Sequence, residues 1–214
     1  MNVTIQKFSF NPFQENTYIV HNSKTCVIID PGCYEKSEQT ELLDYITSNN
    51  LTPVALLLTH AHIDHVLGCA FVLSQFDVDF YIHKDDLPTL HAVPNYAHVY
   101  GFPGYTPPKE PNQILNGGEK LDFDGISFDV LFTPGHSVGH VVYYNAAQGF
   151  VINGDVLFAG SFGRVDLPGG DMDTLKDSIF NTMFELPDAT LVYCGHGGET
   201  TISQEKKTNY IHQF

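Results

Sequence analysis

Short apolar runs separated by polar turns occur throughout both halves of this chain of 214 residues. Nine runs have the length and side-chain types of strands: residues 3–10, 17–21, 26–29, 54–58, 79–83, 126–132, 141–144, 150–153 and 190–194. The uninterrupted run at 54–58 is typical of a strand that is buried on both faces. Because such runs stand before and after helical stripes in both halves, the pattern predicts an α/β fold of two sheets flanked by helices, in a single domain over residues 1–214.

Apolar residues at helical spacing predict three helices, at residues 37–48, 67–74 and 175–183. Asp171 or Asp173 is placed to cap the last of them. Thr201 followed by Gln204 resembles a capping box that opens a further short helix. Residues 92–118 are rich in Pro, Gly, Asn and Tyr, and this composition predicts a long surface loop.

The charge balance is strongly acidic, with 25 Asp or Glu against 10 Lys or Arg and a formal net charge of −15. It argues against nucleic-acid and anionic-membrane partners, because Lys and Arg carry both kinds of binding. The apolar runs are far shorter than the roughly 20 residues of a spanning helix. The N-terminus, Met1-Asn2-Val3-Thr4, lacks the basic and apolar regions of a signal peptide. Together with four scattered cysteines, at positions 26, 33, 69 and 194, this predicts a cytoplasmic protein with reduced thiols.

Four potential metal ligands follow the apolar run at 54–58: His60, His62, Asp64 and His65. On a helix, His60 and His62 would point about 200° apart, whereas in extended or irregular backbone they can converge on one ion. Asp64 and His65 lie further along, where the chain enters a helix, so they can point past the first ion at a second one. The segment therefore predicts part of a metal site, which needs partners from elsewhere in the chain.

Three later strands also run into turns that carry a candidate ligand: His136, Asp155 and His196. The loops at the carboxyl ends of sheet strands are where α/β folds generally place ligands. Taken singly, each residue could be a helix cap or an ordinary loop residue, but together they supply what the first segment lacks. His140 stands close to His136 and is a candidate to support a ligand. Imidazole and carboxylate groups suit Zn²⁺, and also Fe or Mn.

The pattern His60-x-His62-x-Asp64-His65, followed by His136, Asp155 and His196, resembles the metallo-β-lactamase superfamily over nearly the whole chain. The resemblance implies an αββα sandwich with two divalent metal ions at its open edge, Zn²⁺ first among the candidates. It implies that the first ion is held by three histidines: His60, His62 and His136. It implies that the second ion is held by Asp64, His65 and His196, and that both ions are bridged by Asp155.

Two segments, residues 133–140 and 154–161, resemble the hydroxyacylglutathione hydrolases, or glyoxalase II enzymes. Residues 163–171 resemble the short, single-domain bacterial relatives of those enzymes. The resemblance implies hydrolysis of a small anionic acyl thioester, such as S-D-lactoylglutathione, by a metal-bridged hydroxide, with Asp64 orienting the nucleophile or taking up its proton. The longer glyoxalase II enzymes bind glutathione largely through a C-terminal helical domain, whereas this chain ends at Phe214. The acyl group, the thiol carrier and the oligomeric state therefore stay open.

Arg164 is the only arginine in the chain, and its position matches a basic residue that touches glutathione in glyoxalase II. A guanidinium forms a rigid fork that suits a substrate carboxylate. An internal ion pair with Asp166 or Asp171 is the alternative, and the two roles are compatible. Aromatic residues between 92 and 118 either wall the substrate pocket or pin this segment to the core: Tyr96, Tyr100, Phe102 and Tyr105.

Two further functions fit parts of this pattern. A persulfide dioxygenase carries a similar Gly-Arg-x-Asp stretch but needs one iron, held by two histidines and a carboxylate. A non-enzymatic metal-binding module is the alternative from a different class. The residues 163–171 and the lack of an export signal disfavour a β-lactamase. His62 disfavours the flavodiiron branch of the superfamily, whose corresponding segment resembles His-x-Glu-x-Asp with Glu at the middle position.

Overall fold

A computed structural model of the protein describes residues 3–214. Met1 and Asn2 belong to the N-terminus that was predicted to lack a signal peptide, and they lie outside the described residues. The first half of the chain forms a six-stranded sheet in sequence order: β1 (Thr4–Phe10), β2 (Glu15–His21), β3 (Thr25–Ile29), β4 (Thr52–Leu57), β5 (Asp79–His83) and β6 (Gln113–Leu115). The first three strands pair antiparallel, and the pairs from β3 to β6 are parallel. Residues that follow β3, β4 and β5 therefore lie at the same edge of this sheet.

The second half forms another six-stranded sheet, with a small hairpin of β11 (Leu157–Phe158) and β12 (Ser161–Phe162) beside it. The order across the sheet is β14-β13-β10-β9-β8-β7. These strands are β7 (Lys120–Phe123), β8 (Ile126–Phe132), β9 (Val141–Asn145), β10 (Phe150–Gly154), β13 (Leu191–Cys194) and β14 (Thr200–Thr201). Only β10 and β13 pair in parallel among the described strands of this sheet, which brings the residues after both strands to one edge.

Alternation along the strands explains how the layers stack. In β3, Val27 and Ile29 belong to the core between the two sheets, while Cys26 and Ile28 belong to the core beneath the helices. Successive strand residues point to opposite faces, so a strand covered on both faces is apolar throughout. The helices on the first sheet are α1 (Lys36–Ser48), α2 (Ile63–Val66), α3 (Cys69–Gln75) and α4 (Leu87–Tyr96). Those on the second sheet are α5 (Met172–Ser178) and α6 (Ile202–Thr208). The predicted αββα sandwich is thereby confirmed.

The prediction of a loop over residues 92–118 is wrong in part. Helix α4 runs to Tyr96, a 3₁₀ turn continues at Ala97–Tyr100, and β6 lies at Gln113–Leu115. Leu90, Val93 and Ala97 are buried at helical spacing. Their burial outweighs Pro94, which interrupts the hydrogen bonding inside the helix. Only residues 101–112 connect these elements without regular structure.

The other helix predictions hold with changed ends. The helix predicted at 175–183 is α5 followed by a π-helical turn at Ile179–Met183. Asp171, and not Asp173, caps it, since its side chain accepts a hydrogen bond of 2.8 Å from the backbone N–H of Thr174. Thr201 caps α6 through the N–H of Gln204. Over residues 3–214, no helix combines the length and the apolar character needed to cross a bilayer. All four cysteines are buried free thiols.

Candidate metal centre

The first two histidines of the site, His60 and His62, follow the end of strand β4. After Leu57 the chain stays irregular until α2 begins at Ile63, and His62 has extended backbone angles of φ −65° and ψ 152°. In this conformation His60 and His62 converge, as predicted, and His136 meets them from the turn after β8. His62 Nδ1 lies 2.9 Å from His136 Nε2, and His60 Nε2 lies 3.3 Å from the same atom. His60, His62 and His136 form the first cluster of candidate ligands.

The first cluster fits one small divalent cation. Zn–N bonds of about 2.0–2.1 Å in a tetrahedral site place neighbouring nitrogens about 3.3 Å apart. The separations of 2.9 and 3.3 Å agree with that spacing. Burial and neighbouring histidines lower the pKa of His60, and lower the pKa of His62 to about 3. Both rings are therefore neutral at pH 7, which is the form of histidine that binds metal.

A second cluster lies beside the first and consists of Asp64, His65 and His196. Asp64 Oδ2 lies 3.2 Å from His196 Nε2 and 3.8 Å from His65 Nε2. Burial acts to lower the pKa of both histidines, but carboxylates outweigh it: they raise the pKa of His65 and raise the pKa of His196 to about 10. The carboxylates around these two rings therefore favour a bound positive charge, either a proton or a metal ion.

Asp155 lies between the two clusters, at the end of β10. Its Oδ1 is 3.5 Å from His65 Nε2, and its Oδ2 is 3.5 Å from His136 Nε2 and 3.4 Å from His196 Nε2. Among residues 3–214, neither Asp155 Oδ1 nor His65 Nε2 finds a hydrogen-bond partner, although both are buried. Buried polar atoms are normally paired, so these two orphaned atoms fit metal ligation.

The backbone of residue 195 lies so close to the Asp155 carboxylate that only glycine fits at this position. A Cβ atom on Gly195 would lie 2.0 Å from Asp155 Oδ1, and another neighbour, His65 Cε1, would be 2.9 Å away. Any side chain at 195 would push the carboxylate out from between the clusters. The Gly195 that precedes His196 in the sequence thus has a steric role in the site.

Four ligand rings are oriented through their other nitrogen. His65 Nδ1 lies 3.1 Å from Asp30 Oδ2, and His136 Nδ1 donates a 2.7 Å hydrogen bond to the carbonyl oxygen of Arg164. The remaining contacts join His60 Nδ1 to Thr59 Oγ1 and His196 Nδ1 to the carbonyl oxygen of Phe13, at 3.1 Å each. Such partners fix ring orientation and tune ligand basicity.

Asp30 is a site residue that the sequence reasoning missed. It follows β3 directly, as the predicted ligands follow their strands. This position after a strand is the feature of the sequence from which Asp30 could have been predicted. Its carboxylate also accepts hydrogen bonds from the N–H and hydroxyl of Thr59, at 2.7 and 2.5 Å. His140 was expected to support a ligand, and its Nε2 accepts a 3.1 Å hydrogen bond from the backbone N–H of Asp155.

Arg164 lies at the rim and is paired with a neighbour. Its Nε and Nη2 donate to the two carboxylate oxygens of Asp166, at 2.6 Å each. Both side chains are exposed, at 61% and 67%. Of the two partners expected from the sequence, the structure selects Asp166, while Asp171 caps α5. The Arg164 backbone carbonyl holds His136, so this residue supports the site even without its side chain.

The aromatic residues between 92 and 118 divide into two roles. Phe102 is buried at 3% exposure and packs against Tyr34, with ring centroids 4.9 Å apart, so it pins the segment to the core. Tyr100 is 47% exposed and lies 6.2 Å from the ring of Phe13, whose carbonyl holds His196. Tyr96 packs beside Tyr100 at 5.6 Å. Tyr100 and Phe13 thus form an exposed aromatic pair next to the second cluster.

The family model of the metallo-β-lactamase superfamily matches residues 10–196. The chain belongs to the metallo-β-lactamase superfamily. It is 37% identical to the hydroxyacylglutathione hydrolase GloC of Haemophilus influenzae over 213 residues, which cover 97% of each chain. Its fold is similar to the crystal structure of the BLEG-1 B3 metallo-β-lactamase, at 35% identity and a TM-score of 0.86, with 97% and 98% of the two chains covered. TTHA1623 in a di-iron-bound form is similar too, at 38% identity, a TM-score of 0.85, and 96% and 98% coverage.

These similarities confirm the resemblance and the fold that the sequence predicts. The chain is a member of a metallo-hydrolase superfamily and carries His and Asp groups that can bind metal. The structure brings all seven predicted ligands together: His60, His62, Asp64, His65, His136, Asp155 and His196.

Proposed function

We propose that this protein is a metal-dependent thioesterase that hydrolyses small acyl thioesters such as S-D-lactoylglutathione. The observation that carries the proposal is the position of Asp155 between two clusters of three ligands each, which suits a dinuclear centre. The similarity to a hydroxyacylglutathione hydrolase supports a thioester as the substrate. The proposed metals are two divalent ions, Zn²⁺ first, with Fe or Mn as alternatives. The di-iron-bound form of TTHA1623 supports iron among these.

In the proposed centre, His60, His62 and His136 would hold one ion, Asp64, His65 and His196 would hold the other, and Asp155 would contribute to both from its position between the clusters. When bound, such a pair of ions would lower the pKa of a water molecule toward about 7 and polarise the substrate carbonyl. The side chain of Asp64 is 15% exposed, so it reaches the open side of the centre. From there its carboxylate would orient the attacking oxygen and accept its proton.

The direct test is hydrolysis of S-D-lactoylglutathione and a panel of other acyl thioesters by the metal-loaded protein. We expect turnover of at least one thioester, together with two metal equivalents by elemental analysis. A protein with two metals and no turnover on any thioester would contradict the proposal. Hydrolysis of a β-lactam in place of thioesters would reassign the substrate to the class after which the similar BLEG-1 protein is named.

A persulfide dioxygenase is separated by the same measurements. That chemistry uses one iron with open coordination positions. Both clusters are complete here, which favours the hydrolase. A single equivalent of iron, with oxygen consumption on glutathione persulfide, would favour the dioxygenase.

The Arg164–Asp166 pair gives a prediction about anionic substrates. Asp166 occupies the guanidinium fork, so the Asp166→Ala variant is expected to lower KM for S-D-lactoylglutathione, and Arg164→Ala is expected to raise it. The shift should be about two- to fivefold in each direction, the range that exposed ion pairs contribute. The control substrate is the neutral S-lactoyl-N-acetylcysteamine, whose KM should stay the same. Equal shifts on both substrates would exclude recognition of the glutathione carboxylates by Arg164.

A further inference from the structure

A buried carboxylate on the helical side connects two of the ligand-bearing turns. Asp86 ends the 3₁₀ turn Lys84–Asp86 after β5 and is fully buried. Its Oδ2 accepts a 2.6 Å hydrogen bond from the backbone N–H of Ala61, which stands between His60 and His62. A buried carboxylate is costly unless it is hydrogen-bonded, so this contact has a reason to persist.

The other oxygen of Asp86 faces the turn that follows His136. Asp86 Oδ1 accepts hydrogen bonds from the hydroxyl of Ser137 and, at 3.3 Å, from the backbone N–H of Gly139. The packing is tight, since a Cβ atom on Gly139 would lie 2.6 Å from Asp86 Cβ. One carboxylate thus joins a segment of the first sheet to a turn of the second sheet, and these two segments carry all three ligands of the first cluster.

The second cluster has a separate support. Asn16 of β2 donates through Nδ2 to the carbonyl oxygens of Cys194 and Gly197, at 2.9 and 3.0 Å. Its backbone N–H donates to the carbonyl oxygen of Gly195 at 2.7 Å. These bonds hold the turn that carries His196. Asn16 therefore supports the second cluster from an element other than the one that carries Asp86, whereas Asp30 contacts both His65 and Thr59.

We propose that Asp86 is a positioning residue for the first cluster alone, setting the spacing of His60, His62 and His136 by accepting hydrogen bonds from both of their turns. The inference rests on the dinuclear centre of the proposed function. An asparagine keeps the shape of Asp86, but its NH₂ end donates. The Asp86→Asn side chain can therefore accept from one turn and not from both.

The test measures Zn²⁺ affinity by competition with a chromophoric chelator in two backgrounds. His196→Ala leaves the first cluster intact, and His62→Ala leaves the second cluster intact. Adding Asp86→Asn is expected to weaken Zn²⁺ binding about 10- to 100-fold in the His196→Ala background, as for lost partners of metal ligands. It is expected to leave affinity unchanged in the His62→Ala background. Equal losses in both, or no loss with His196→Ala, would overturn the inference.

A matched control is Thr89→Val, which removes a different hydrogen bond to Asp86, of 3.1 Å, and leaves both turns attached. We expect Thr89→Val to keep the Zn²⁺ affinity of its background.

Thermal unfolding of the metal-free variants checks that each one folds. If Asp86→Asn does not fold, the Ser137→Ala variant replaces it, because this substitution removes one of the donors to Asp86. Ser137→Ala should also weaken Zn²⁺ binding only in the His196→Ala background. An equal loss of Zn²⁺ affinity in both backgrounds would again overturn the inference. A wild-type protein that binds no Zn²⁺ overturns the proposed centre and this inference together, whereas two tight equivalents unaffected by Asp86→Asn overturn the inference alone.

Discussion

The Asp155→Ala variant is expected to lose both metal ions together and to lose thioesterase activity by about 10³-fold or more. Asp155 contacts both clusters in the described structure: its Oδ1 faces His65 of the second cluster, and its Oδ2 faces both His136 of the first cluster and His196 of the second. In the proposed centre, its removal would leave each ion one ligand short and would take away the negative charge that lies between the two clusters. Metal ions contribute several kcal/mol to the transition state, and each 1.36 kcal/mol is about tenfold in rate.

Elemental analysis and steady-state kinetics of the same preparation check this expectation. Asp155→Asn repeats the experiment with the side-chain shape preserved. The matched control is Asp188→Ala, which removes an exposed aspartate paired with Lys206 at 2.8 Å and should keep two equivalents and full activity. Two bound ions in Asp155→Asn and in Asp155→Ala would remove Asp155 from the centre.

Chelation of the metals is expected to abolish activity and to lower the melting temperature by about 15 °C or more. A ligand at 1,000 times its Kd stabilises the folded state by about 4 kcal/mol, and the proposed centre holds two ions. In a domain of this size, 1 kcal/mol shifts the melting temperature by about 2–4 °C. Without ions, the buried Asp155 Oδ1 and His65 Nε2 have no partner among the described residues, which adds to the loss.

Differential scanning calorimetry with and without chelator, followed by readdition of Zn²⁺, measures the effect. Zn²⁺ should restore both melting temperature and activity. The Asp155→Ala variant is the control, because a protein without ions has no stabilisation to lose and its melting temperature should not respond to chelator. An equal response of both proteins would mean that the chelator acts elsewhere.

The pattern of apolar and polar residues predicted nine of the strands and most of the helices, and it missed the short strands β6, β7, β11, β12 and β14. The run at 54–58 was predicted as a strand buried on both faces, and Ala55 and Leu57 face one core while Leu56 and Leu58 face the other. Patterning failed at residues 92–118, where proline and glycine content outweighed the spacing of the apolar residues. Burial of Leu90, Val93 and Ala97 depends on the sheet beneath them, which composition does not show.

The convergence of the candidate ligands was predictable because they follow the ends of the apolar strands β4, β8, β10 and β13, whose C-terminal turns meet at one edge of the sandwich. Asp86 was not predictable, because it acts on the backbone N–H groups of Ala61 and Gly139, which are 25 and 53 residues away in the sequence. Backbone donors carry no residue-type signal, and their partner is set only when both sheets are assembled. The sequence also left Arg164 between two partners, and the choice of Asp166 follows from the local turn.

The two sheets contribute unequally but jointly to each cluster. The first sheet supplies His60 and His62 while the second supplies His136, and the other cluster combines Asp64 and His65 with His196 in the same way. Each ion of the proposed centre would therefore cross-link the amino-terminal and carboxy-terminal halves of the chain, as a disulfide does in a secreted protein. Metal loading would then be part of the folding reaction itself. Amide hydrogen exchange along the seam between the halves would then report the metal occupancy of the protein.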